Sequence, residues 1–204
     1  MVDRLCDEVG EKNTTVTCFY FDFAARKEQS VTSMLGSLLK QMVSGMERIP
    51  EAISRAFQKE KKVIGGREPR LPDILKMLQT ITTSQRTFVC IDSLDECVAA
   101  HRTKLLDSLK QVLDKSPRTR LFVTGRPHIR VEVEKRLSGR VISVSIIPDQ
   151  DDIVRYLRVR LDEDETPDAM DESLEADILR KIPENISEMY VWAVNLRILS
   201  HIIC

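Results

Sequence analysis

No two cysteines in this sequence are spaced as CxxC, and no Cys/His cluster has zinc-ligand spacing, which argues against a cysteine–histidine metal module. Aromatic residues make up only 5% of the chain, too few to suggest a platform for stacking bases. Charge of one sign is also lacking: the formal net charge is −1, so neither nucleic acid nor an anionic membrane is advertised as a partner. Met1-Val2-Asp3-Arg4-Leu5 has none of the apolar length of a secretory signal. The most apolar stretch, 189–204, is interrupted by Asn195, Arg197 and His201 and is too short and polar to span a bilayer. No internal repeat or low-complexity tract is visible. These absences point to a reducing, cytoplasmic setting in which Cys18 and Cys90 serve as small core residues.

What is present is ordinary globular composition, 42% apolar and 31% charged, in 204 residues. That length allows one sizeable core, alone or with a small appendage. Four short runs read as strands: Val16–Phe21, Thr87–Ile91, Arg120–Thr124 and Val141–Ile146. The middle two are continuously apolar, as strands covered on both faces are. Helical periodicity fills the gaps. Ser30 caps a helix with the stripe Val31, Leu35, Leu38, Leu39, Met42 and Val43. Pro50 and Pro72 open helices at 51–62 and 73–83, with a loop at Gly65–Pro69, and 98–115 presents Leu105, Leu106, Leu109, Val112 and Leu113 on one face. Strands alternating with helices predict an α/β fold, a three-layer sandwich around a mainly parallel sheet. From about Pro148 the reading is helical only, at 149–161, 172–182 and 184–201, with the solvated acidic linker Asp162–Pro167 between the first two. The expected division is a core over 1–147 and a helical segment over 148–204.

The chemistry concentrates in Phe88-Val89-Cys90-Ile91-Asp92-Ser93-Leu94-Asp95-Glu96. An apolar strand delivers Asp92 at its carboxyl end, where open α/β sheets bind their ligands. A carboxylate there suits Mg²⁺ beside nucleotide phosphates. Asp95 and Glu96 follow on the turn, placed to orient or deprotonate an attacking water, with Glu96 the preferred base. The next strand ends Thr124-Gly125-Arg126-Pro127, bringing a hydroxyl and a guanidinium to the same sheet edge, where they suit a terminal phosphate. Asp92 and Asp95 taken alone also read as turn and cap residues. The pairing of an acid-ended strand with a Thr-x-Arg-ended one favours the nucleotide site.

These two segments, with Ser187-Glu188-Met189-Tyr190-Val191-Trp192-Ala193, resemble a NACHT-type P-loop NTPase, in particular its nephrocystin-like N-terminal subtype found in large fungal repeat proteins. The likeness runs from about Val16 to about Leu196, and Phe19–Phe23 is similar to the family's strand after the P-loop helix. It implies a signal-transduction ATPase or GTPase in which Asp92 is the Walker B metal ligand, Asp95 and Glu96 the acidic pair, and Arg126 the sensor arginine. It also implies Mg²⁺ with ATP or GTP as cofactors, and no motif chooses between the bases.

One departure matters. The family's phosphate loop, GxxxxGK followed by Ser or Thr, is not in this sequence, and Gly10-Glu11-Lys12-Asn13 lacks its spacing and its hydroxyl. Residues 1–9 then read as the last turns of the helix after that loop, and the fold as an incomplete P-loop NTPase. Two expectations follow: an unfilled central sheet position or an exposed apolar strand edge, and loss of tight Mg·ATP binding and of turnover by the chain alone. The other reading is a non-enzymatic module that self-associates or binds intact NACHT proteins. Trp192, with Met189 and Tyr190, is expected to pack a helix on the core.

Overall fold

The computed structural model describes residues 14–22, 29–51, 53–55, 58, 69–138, 141–146, 149–163, 172–185 and 189–194. The readings of 1–13 as a helix end and turn, and of 65–68 and 164–167 as loop and linker, lie outside the described residues. The elements are β1 (Thr14–Tyr20), α1 (Val31–Ser44), α2 (Leu71–Ser84), β2 (Arg86–Asp92), α3 (Ala99–Lys115), β3 (Thr119–Gly125), α4 (Arg130–Arg136), β4 (Val141–Ile146), α5 (Gln150–Asp162), α6 (Glu172–Asn185) and β5 (Met189–Val194). Residues 51, 53–55 and 58 are also helical. One-turn 3₁₀ segments, Leu94–Glu96 and Pro127–Ile129, follow β2 and β3.

The α/β expectation holds. β1, β2 and β3 are adjacent and parallel, with Thr17 opposite Val89 and Val89 opposite Leu121. Strand alternation sends Val89, Ile91, Leu121 and Val123 into one core with Leu35 and Leu38 of α1, Ile81 of α2 and Leu106 of α3. The other face of β2 and β3 is buried as well: Phe88 and Phe122 lie 6.3 Å apart between ring centroids, and Cys90 joins them. Continuous apolar runs were the correct signal for these strands. The Ser30 cap is also as expected, its hydroxyl accepting the Ser33 N–H at 3.1 Å. At the sheet edge, Gln41 of α1 satisfies the backbone of β1. Its amide oxygen accepts from Cys18 N–H at 2.9 Å and its amide nitrogen donates to Cys18 O at 2.8 Å, which blunts that edge against pairing.

The C-terminal segment departs from expectation. Residues 184–201 read as a helix, yet Met189–Val194 form β5, which lies between β3 and β4 and runs antiparallel to both. Trp192 is therefore a strand residue, in register with Val123 and Ser143, and not part of a helix packed on the core. Tyr-Val-Trp-Ala-Val is rich in strand formers, and two parallel strands held one position apart give such a segment a ladder on each side. The central position is thus filled. The edge alternative fits β4, on which Ile142 and Ile146 are 46% and 47% exposed. Helices α5 and α6 pack against each other, and no residue of α5 is buried. Among the described residues, no helix is long and apolar enough to cross a membrane.

Candidate functional site

Parallel pairing fixes where the candidate residues emerge. Tyr20 is opposite Asp92 and Ile91 opposite Val123, so Asp92 at the end of β2 stands level with Thr124, the last residue but one of β3. The Thr124 hydroxyl donates to Asp92 Oδ1 and accepts the Ser93 N–H at 2.9 Å. Its single proton is thereby committed to the carboxylate. Ser93 makes the turn possible in a left-handed conformation, φ 57° and ψ 45°, and is the one non-glycine with positive φ among the described residues. Such a backbone costs about 1–2 kcal/mol and is retained where surrounding bonds over-determine it.

Beyond Ser93, Leu94 is wholly buried and anchors the 3₁₀ turn. Asp95 has only 6% of its side chain exposed, and its Oδ1 accepts the Arg126 N–H at 3.2 Å. The Arg126 side chain, 65% exposed, reaches Asp95 Oδ2 at 3.5 Å and Glu96 Oε1 at 3.6 Å. Sequence reasoning named all five residues, and the fold gathers them as two linked groups, Asp92 with Thr124 and Arg126 with Asp95 and Glu96. The pair is lopsided, with the guanidinium in solvent and the Asp95 carboxylate nearly enclosed, so losing the arginine would leave a buried charge less well matched.

What the sequence did not announce lies behind the turn. Arg102 donates from Nε to Glu132 Oε2 at 2.8 Å and from a terminal nitrogen to Cys97 O at 3.0 Å, and Thr103 donates to Glu132 Oε1 at 3.1 Å. Glu132 stands about 30 positions from Arg102 and Thr103, a separation no local pattern encodes. Cys97 sits among them, and burial pushes its thiol up from 9.0 to about 11, with Glu132 adding to the rise and Arg102 opposing it. A raised folded pKa means a contribution fully present below pH 9 and lost as pH rises to about 11. Urea denaturation from pH 8 to 11 is expected to show a steeper fall for the wild type than for Cys97→Ala; parallel curves would contradict it.

Among the described residues no group of three or more His, Cys, Asp or Glu side chains is gathered for a metal. One carboxylate flanked by the Ser93 and Thr124 hydroxyls does not suit zinc. It does fit Mg²⁺, which takes one or two carboxylates and completes its shell with water and phosphate oxygens. Asp92 is the carboxylate there that could hold such an ion.

Residues 1–126 match the family model described as nephrocystin 3, N-terminal. No curated protein matches the chain.

Proposed function

Because the chain belongs to the nephrocystin 3 N-terminal family, we propose that it carries the metal and terminal-phosphate side of the nucleotide site of a NACHT-type signalling P-loop NTPase. The reading is supported above all by the meeting of Asp92, Thr124 and the Arg126–Asp95–Glu96 group at the carboxyl edge of parallel strands. In this reading Asp92 is the Walker B ligand of Mg²⁺, and Mg²⁺ supplies charge neutralisation at the phosphates. Arg126 meets the terminal phosphate with its planar fork. Glu96 and Asp95, released from that arginine, hold or accept the proton of an attacking water. Thr124 acts through Asp92, since its proton is already given to that carboxylate.

These 204 residues contain no GxxxxGK[ST] loop, so several phosphate hydrogen bonds and one cation have no counterpart in them. Binding of Mg·ATP or Mg·GTP is accordingly expected to be weak, and turnover by this chain alone is not expected. Calorimetric titration with Mg·ATP should give a dissociation constant of about 1 mM or weaker, about 4 kcal/mol of binding free energy, abolished by Asp92→Ala. Low-micromolar binding indifferent to that substitution would sink the reading. A second reading, self-association or association with intact NACHT proteins, draws support from the half-exposed apolar side chains of edge strand β4.

A further inference from the structure

We propose that Arg102 is the positioning residue that fixes the acidic turn Leu94–Cys97 to the segment carrying Arg126, so that the two move as one body. The inference deepens the reading of the site given above and rests on it. The Arg102 side chain is 12% exposed, so its charge must be matched where it lies. It is matched in two directions at once. Nε faces Glu132 on α4 at 2.8 Å, and a terminal nitrogen faces the carbonyl of Cys97, the residue that closes the acidic turn, at 3.0 Å. Only a guanidinium offers donors in such a fixed fork, and an ammonium is a single point.

Glu132 is held on its other oxygen by Thr103 at 3.1 Å, with Arg136 at 3.7 Å, and Arg136 in turn grips Asp107 at 2.8 and 3.0 Å. Helix α4 is thereby pinned to α3, and α4 begins at Arg130, directly after the turn Pro127–Ile129 that follows Arg126. On the solvent side the same two segments are joined by Asp95 and the Arg126 N–H. Front and back ties differ in kind: the Arg126 side chain is exposed, whereas Arg102 is enclosed. When a phosphate draws Arg126 from the acids, Arg102 keeps the turn in register.

The test is residue-resolved hydrogen exchange on the full chain, comparing wild type with Arg102→Met, which keeps the apolar stem. The reporters are the Glu96 amide (to Ser93 O, 2.9 Å), the Cys97 amide (to Leu94 O, 3.1 Å) and the Arg126 amide (to Asp95 Oδ1, 3.2 Å). All three should exchange about tenfold faster or more, while Val89, Cys90 and Ile91 of β2 are unchanged. Arg102→Lys should restore part of the protection. Unchanged exchange at the three reporters, or equal acceleration in β2 as from plain destabilisation, overturns the proposal. If Arg102→Met does not fold, Glu132→Gln carries the measurement with the same expected pattern and the same contrary result. A parallel Mg·ATP titration separates the two claims. Wild-type binding insensitive to Asp92→Ala overturns the nucleotide reading, and the exchange data still decide the role of Arg102. Asp92-dependent binding should weaken about tenfold in Arg102→Met, about 1.4 kcal/mol, and undiminished affinity overturns the positioning role.

Discussion

Replacing Thr124 by valine is expected to destabilise the fold by about 2–4 kcal/mol, since it deletes a hydrogen bond to a carboxylate and leaves a partly buried N–H unpaired. Valine keeps the shape of threonine and removes only the hydroxyl. That hydroxyl donates to Asp92 and accepts from Ser93, whose left-handed backbone depends on being held. The variant should unfold at lower urea with an unchanged slope, because the surface exposed on unfolding is the same. Thr124→Ser should recover most of the loss, as serine offers the same donor and acceptor. A valine variant within about 0.5 kcal/mol of wild type, the range of changes at indifferent surface sites, would mean that the hydroxyl does not hold Asp92.

The second large effect concerns β5. Val191 pairs with Thr124 on one side and Val144 on the other. Proline there removes a ladder donor from a strand flanked on both sides, a position from which proline is excluded, and should cost about 3 kcal/mol or more. Hydrogen exchange in Val191→Pro should also rise along β4, which pairs with no strand but β5 among the described residues, more than along β1. A wild-type urea midpoint would show that β5 does not hold the sheet together across that position.

Where local pattern determines structure, the sequence was sufficient. β2 and β3 are continuous apolar runs because both faces are covered, and the residues that end them at one edge follow from parallel pairing alone. Asp92, Asp95, Glu96, Thr124 and Arg126 were therefore legible as a group. Their pairwise bonding was not, since nothing in Thr-Gly-Arg tells which hydroxyl or N–H meets which carboxylate. The Arg102–Glu132 tie joins residues far apart in sequence on α3 and α4, and α4 itself is two turns long, too short for its period to register. β5 escaped for a different reason. Its apolar density suits a helix as well as a strand, and the choice is made by the ladders of β3 and β4 on either side of it.

The site's charge pattern also explains why Arg126 is the most informative single group. Its backbone is tied to Asp95, while its largely solvent-exposed side chain meets two mostly buried carboxylates, Asp95 and Glu96. The most direct measurement is therefore the Nε–H resonance of Arg126 during titration of the folded chain with Mg·ATP, repeated with Asp92→Ala. The account predicts a saturable shift of that resonance, at millimolar ligand, that the substitution abolishes. A resonance that stays on its acidic partners while ligand binds elsewhere would contradict it.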